Sequence, residues 1–201
     1  PYSGRSDAIL LLLYHPRLAK AALVSVPPDL FGYLPGWTMQ RYSAAYPLGG
    51  ARLLVDTLDY NLGLRPDDFL IANLDDFVIL VDELGGLKVP VMEPFPGVCD
   101  EIVYPGEVPM TGGQVLCYTR LRVEMEEAAR GLRQQQVLRL ILDRFLESGN
   151  LARLPELFSL FRPRLDTSLT AQDVAEAIPL ALRLGDPART AYFQIGADQT
   201  R

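Results

Sequence analysis

Two runs of Leu, Val and Ile, Ala8–Tyr14 and Ala21–Val26, stand one turn apart across His15-Pro16-Arg17, and no other feature constrains the fold as tightly. Each run is far shorter than the roughly 20 apolar residues that cross a bilayer. Bounded by turn residues and rich in branched side chains, both read as buried strands that pair as neighbours. Beyond them the period changes. Ala44–Leu62 sets Ala51, Leu54, Val55 and Leu58 at helical spacing, broken only near its start by Gly49-Gly50. Strands interleaved with helices imply an α/β fold, here a three-layer α/β/α sandwich with a central mixed β-sheet and helices on both faces. With 201 residues, 49% of them hydrophobic, the chain can fill one sizeable core and is short for two, so residues 1–201 are expected to form a single domain.

The rest of the chain follows the same alternation. Prolines 27, 28 and 35 with Gly36 make 29–40 a loop or irregular edge over the strand ends. Phe69–Ala72 reads as a short strand, and Leu74–Leu84 as a helix stopped by Gly85-Gly86. Leu87–Met92 is another strand. Scattered prolines and glycines leave 93–110 mostly loop, with room for one short strand at Glu101–Tyr104. Helices are expected at Gly113–Thr119, Arg133–Glu147, Leu151–Phe161 and Ala171–Leu184, and a final strand at Thr190–Ile195.

Charge and cysteine usage exclude several functions. A net charge of −6 argues against a broad grip on nucleic acid, so an anionic ligand must meet a local basic cluster. Cys99 and Cys117 are the only cysteines, without the CxxC or Cys/His spacing that holds zinc. They are compatible with a disulfide in an exported domain and equally with two buried thiols. The lone His15 lies in a turn with no Ser or Cys motif to serve, which leaves no Ser-His-Asp triad. The chain begins at Pro1 without an initiating Met, and an anchor or signal is expected upstream.

Three polar clusters are candidates for chemistry. Arg130 and Gln134 begin the stripe that continues through Leu138, Ile141, Leu142 and Phe145. A guanidinium on an apolar stripe needs either a carboxylate partner, such as Glu126 or Glu127, or a place at the mouth of a pocket. Arg120 and Arg122 follow the short helix; in extended chain both point to one side and suit the oxygens of a pyrophosphate, although two solvated arginines are the commoner arrangement. Arg5-Ser6-Asp7 precedes the first strand and puts a guanidinium beside a carboxylate that can ligate Mg²⁺. Phe31, Tyr33 and Trp37 either line an apolar pocket or plug the sheet edge.

In order along the chain, these pieces resemble the LytR-CpsA-Psr family. Arg5-Ser6-Asp7 is similar to its Arg-Thr/Ser-Asp entry motif, and Arg41-Tyr42-Ser43-Ala44-Ala45-Tyr46, followed by Gly49-Gly50, to its Lys/Arg-Ile-Asn-Ala-Ala-Tyr segment. Asn73–Gly86 resembles a stretch ending in Leu-Gly-Gly, and Leu116–Arg122 resembles Ala-Tyr-Val-Arg-Phe-Arg. Glu127–Gln135 resembles Asp-Phe-Gly-Arg-x-x-Arg-Gln-Gln, with Arg130, Arg133, Gln134 and Gln135 matching.

The resemblance implies an extracytoplasmic, membrane-anchored enzyme of the bacterial cell envelope. It would move a glycopolymer from a polyprenyl-pyrophosphate carrier to peptidoglycan and release the lipid, by phosphoryl transfer with Mg²⁺ as cofactor. By position, Arg5, Arg41, Arg120, Arg122, Arg130 and Gln134 would surround the pyrophosphate, Asp7 would hold Mg²⁺, and Asp7, Arg120 and Arg122 would be catalytic. The leucine-rich strands and helices would line a tunnel for the prenyl tail, where each buried CH₂ contributes about 0.8 kcal/mol. The chain also departs from the family. Ser25-Val26-Pro27-Pro28-Asp29 stands where the family has Ser-Ile-Pro-Arg-Asp, so Pro28 replaces an arginine. That loss implies an alternative, a catalytically weakened or inactive binder of polyprenyl phosphates. The family's naming also carries the sense of a transcriptional attenuator, a role disfavoured by the net charge and by the lack of a DNA-reading motif.

Overall fold

The computed structural model describes residues 4–92, 95–98, 101–103, 105–121, 127–147 and 150–196. The chain opens with strands β1 (Ile9–His15), β2 (Lys20–Val26), β3 (Phe31–Tyr33) and β4 (Met39–Arg41), then helix α1 (Ala45–Leu62). Strand β5 (Leu70–Ile71), helix α2 (Leu74–Glu83) and strands β6 (Leu87–Val91), β7 (Phe95–Val98), β8 (Glu101–Val103) and β9 (Gly106–Met110) follow. Then come α3 (Gly112–Arg120), α4 (Glu127–Glu147), α5 (Leu154–Phe161), β10 (Asp166–Thr167), α6 (Ala171–Leu184) and β11 (Thr190–Gln194).

The expected α/β fold is present. β1 and β2 form an antiparallel hairpin from Ile9↔Val26 to His15↔Lys20, and β11 joins β2 in parallel, which makes a mixed three-stranded sheet in the order β1-β2-β11. Leu54 and Leu58 of α1 pack with Ile9, Leu11, Val24 and Val26 on one face. Side chains alternate along a strand, so Ser25 faces the other way. There Gln135 of α4 donates from Nε2 to Ser25 Oγ at 2.8 Å and to the Phe193 carbonyl at 2.6 Å. Helices thus flank this sheet on both faces, while β3–β4, β5–β10, β6–β9 and β7–β8 are separate two-stranded pairs. A second, larger core joins α2, β6, α3 and α4 through Val81, Val89, Val115, Val137 and Phe145.

Helix ends follow local chemistry. The Asn73 side chain caps α2 by accepting the Asp76 N–H at 2.7 Å, and Gly85 and Gly86, at φ 79° and 78°, reverse the chain after it. Reciprocal capping boxes, Thr111 with Gln114 and Thr170 with Asp173, start α3 and α6.

Four expectations are corrected. Residues 29–40, read as loop, contain the β3–β4 ribbon: Gly36, at φ 80°, turns the chain so that the Leu34 N–H reaches the Thr38 carbonyl at 3.1 Å. Residues 93–110 hold three strands rather than one. Pro90 and Pro109 are tolerated because the β6–β9 pair is two-stranded, and a missing N–H can face outward. Helix α4 begins at Glu127, not Arg133, so Arg130 lies in its first turn. Phe31 and Trp37 are exposed rather than plugging an edge, and neither lines the cavity of ≈ 1800 Å³.

Candidate functional site

A cavity of ≈ 1800 Å³ lies between the two cores. Its apolar lining comes from Leu10 and Leu12 of β1, Leu54 and Leu58 of α1, Val137 of α4 and Leu180 of α6; Arg5, Asp7, Arg120 and Gln134 form one polar stretch of the lining, the rim below, and Asp67, Asp68, Asp75, Asp173 and Glu176 lie elsewhere on it. β1 is an edge strand, which leaves its outer side open to the cavity.

The rim is built by three segments. Asp7, two residues before β1, pairs with Arg120 across 3.2 Å, and both side chains are partly exposed. Arg120 is not in extended chain after the helix, as the sequence implied, but is the last residue of α3. Gln134 Nε2 approaches the Asp7 carbonyl at 3.5 Å from α4. The Ser6 N–H donates to the Ser43 carbonyl at 3.2 Å, which ties the entry segment to the turn that follows β4.

The other expected site residues lie elsewhere. Arg41 pairs with Asp29 at 3.1 Å, sits 5.8 Å from the Phe31 ring centroid, and is absent from the cavity wall. Arg130 is only 6% exposed and likewise does not line the cavity. Arg122, Cys99 and the Glu126 and Glu127 side chains lie outside the described residues. Pro28 is buried, with its carbonyl accepting the Ser43 N–H at 2.8 Å. Cys117, in α3, is disulfide-bonded.

Two further residues, which sequence reasoning gave no role at the site, hold the rim in place. Arg133 is 8% exposed and donates from Nε to the Tyr118 carbonyl at 3.0 Å and from Nη2 to the Leu121 carbonyl. These carbonyls flank Arg120, at a helix end that has no intrahelical partners to offer them. Desolvation lowers the Arg133 pKa, which the nearby Tyr118 partly offsets and the Arg130 charge reinforces. Burial raises the Tyr118 phenol, with Arg133 pulling the other way. Gln135 ties α4 to β2 and β11. The readable signal for both is the polar run Arg-x-x-Arg-Gln-Gln near the start of α4, ahead of its apolar stripe.

No group of three or more His, Cys, Asp or Glu is placed to hold a metal ion among the described residues. The Asp7 carboxylate is a single oxygen ligand beside a basic group. Such a donor set fits Mg²⁺ only in its usual manner, one or two carboxylates completed by water and phosphate oxygens.

Fold and site together define an α/β domain with a largely apolar cavity whose wall carries both arginines and carboxylates. The model of the LytR_cpsA_psr family matches residues 1–186, and the chain belongs to that family. It is 28% identical over 175 residues to the Bacillus licheniformis protein named polyisoprenyl-teichoic acid–peptidoglycan teichoic acid transferase TagU, covering 85% of this chain and 56% of that one. It is also 28% identical over 169 residues to the Staphylococcus aureus regulatory protein MsrR, covering 83% and 52%. The chain therefore spans about half the length of these curated relatives. The crystal structure of Bacillus subtilis TagV superposes with a TM-score of 0.81 at 24% identity, over 96% of this chain and 77% of that one, and shows the same fold.

Proposed function

We propose that the chain acts in bacterial cell-wall assembly by moving a glycopolymer from a polyprenyl-pyrophosphate carrier to peptidoglycan. The observation that carries this reading is the joining of an apolar cavity of ≈ 1800 Å³ to a rim of Arg5, Asp7, Arg120 and Gln134. The cavity suits a prenyl tail, and the rim suits the pyrophosphate at its end. The relative TagU, named a polyisoprenyl-teichoic acid–peptidoglycan teichoic acid transferase, supports the substrate class.

In this reading an acceptor hydroxyl attacks the phosphorus nearer the sugar. The new O–P bond forms, the P–O bond to the lipid phosphate breaks, polyprenyl phosphate leaves with the bonding pair, and the hydroxyl proton is lost to solvent. Arg5 and Arg120 hold the pyrophosphate oxygens, and Gln134 steadies the Asp7 segment. Asp7 would help hold Mg²⁺, which supplies further neutralisation of the phosphates when bound. The proposal includes the extracytoplasmic location and a membrane anchor; no helix among the described residues is long and apolar enough to cross a membrane. The disulfide at Cys117 is in keeping with an oxidising compartment.

The test is release of polyprenyl phosphate from a lipid-linked glycan in the presence of peptidoglycan and Mg²⁺. The unaltered protein is expected to release it and Arg120→Ala to lose the activity; no release by the unaltered protein would sink catalysis. Pro28 favours a second reading, an inactive binder, because a buried proline supplies no charge where the family carries an arginine. Turnover equal to that of a folded Pro28→Arg variant rules it out.

A further inference from the structure

The cavity continues to the far end of β1, where the β1–β2 hairpin turns. Asp7 precedes β1, and the strand from Ile9 to His15 carries the chain about 20 Å away from the rim, at roughly 3.3 Å per residue. Leu13, Tyr14 and Pro16 still belong to the cavity lining there, as does Arg183 in the last turn of α6. Every residue from Leu12 to Leu18 is exposed, Leu13 by 42%, Tyr14 by 56% and Leu18 by 59%. The tip is nonetheless braced. His15 Nδ1 accepts the Leu18 N–H at 3.3 Å, and Arg189 donates from Nη1 to the Leu18 and Ala19 carbonyls at 3.4 and 3.5 Å.

Two observations point to one occupant. The tip is basic in a chain whose net charge is −6: Arg17, Lys20 and Arg183 are exposed, and among the described residues none of them has a carboxylate within ion-pair distance. Asp186, close by in sequence, is already paired with Arg189. Two of the carboxylates on the cavity lining belong to the other end of α6: Asp173 lies in its first turn and Asp68 accepts from Ser168 just before it, whereas Arg183 stands about 15 Å further along the helix, at roughly 1.5 Å per residue. The second observation is continuity. Exposed leucines and a tyrosine beside unpaired basic groups suit a lipid interface, where apolar side chains enter the headgroup layer and the bases meet its phosphates. A protein seated on the tip would stop the cavity at its end, whereas a bilayer extends the apolar lining directly into acyl chains.

We propose that the β1–β2 hairpin tip seats on the anionic surface of a phospholipid bilayer, so that the cavity opens onto the acyl chains and a prenyl tail passes from one to the other without crossing water. This entry role rests on the function proposed above. With the tip on the surface, the rim stands about one length of β1, roughly 20 Å, above the membrane, where the pyrophosphate meets Asp7 and Arg120.

The probes are vesicles of phosphatidylglycerol and of phosphatidylcholine, free of any prenyl lipid, with co-sedimentation of the whole chain as the readout. The unaltered protein is expected to partition onto phosphatidylglycerol, far less onto phosphatidylcholine, and to come off as salt rises. Arg17→Ala and Lys20→Ala should each weaken that partitioning about five-fold. Both side chains are exposed and unpaired, so the melting temperatures of these variants should match that of the unaltered protein. Brominated phosphatidylglycerol should quench a Leu18→Trp variant made in a Trp37→Phe background, and should leave Trp37 of the unaltered protein bright. No partitioning, partitioning that the substitutions leave unchanged, or quenching of Trp37 instead would overturn the proposal. Self-association lost in Arg17→Ala and Lys20→Ala without any vesicle binding would make the tip an interface between copies and overturn it too. Geranylgeranyl pyrophosphate in solution, followed by calorimetry, separates the tip from the reading beneath it, and the unaltered protein and both alanine variants are expected to bind it alike. Binding of this lipid without vesicle partitioning overturns the docking alone; no binding of it by the unaltered protein overturns the proposed function, and the entry role of the tip with it.

Discussion

Arg120 and Arg133 carry the same charge in one neighbourhood and do different work. Arg120 is half-exposed and paired with Asp7, an arrangement that contributes about 0 to 1 kcal/mol to stability. Arg120→Ala is therefore expected to leave the urea midpoint nearly unchanged while calorimetry shows a large loss of affinity for a polyprenyl pyrophosphate. Arg133 is buried and satisfies the Tyr118 and Leu121 carbonyls, so Arg133→Ala strands two acceptors and should cost about 3 kcal/mol by the same denaturation measurement. Burial raises the phenols of Tyr42 and Tyr118 above the ordinary 10.0. The unfolded chain then releases those protons first, so stability is intact below about pH 10 and falls as pH rises through the folded values. Unfolding midpoints followed from pH 9 upward should show this fall, and Tyr118→Phe should reduce it. Arg130 and Gln134 were legible as polar residues beginning an apolar stripe; that Arg130 and Arg133 are both buried was not.

Among the elements, α3 is the one that positions the rim, and α2 and α4 position α3. A Cβ at Gly112 would fall 2.2 Å from the Val78 carbonyl oxygen, and the Gly112 N–H donates to Asp82 Oδ1 at 2.7 Å, so the two helices meet with no room between them. Gly112→Ala must push α3 away from α2. It is expected to cost about 2 to 3 kcal/mol and, because Arg120 ends the same helix, to weaken pyrophosphate binding as well. A stability loss with unchanged affinity would show that α3 does not position Arg120. The starts of α2, α3 and α6 fall within one residue of the expected Leu74, Gly113 and Ala171, while the capping by Asn73, Thr111 and Thr170 came with the structure. The β3–β4 ribbon and β9 were not readable, because proline and glycine weigh against strands locally, and only pairing across the ribbon favours them.

For the whole molecule, the cavity is lined by residues that pack with both cores, and α3 carries a disulfide at Cys117. Such bonds contribute about 2 to 5 kcal/mol in small exported domains. Thermal melts with and without reductant should therefore separate by several degrees, with Cys117→Ser melting like the reduced protein. The sequence by itself determined the α/β class, the β1–β2 hairpin and the order of the motifs, because periodicity, caps and turns act within a few residues. Only the tertiary structure decided that Asp7 and Arg120, 113 positions apart in sequence, form one rim, and that Arg41 and Arg130 stand away from the cavity wall. It also decided that Phe31 and Trp37 face solvent. A side chain's neighbours across a cavity are set by how helices pack on a sheet, and that packing is a property of contacts between residues far apart in the chain.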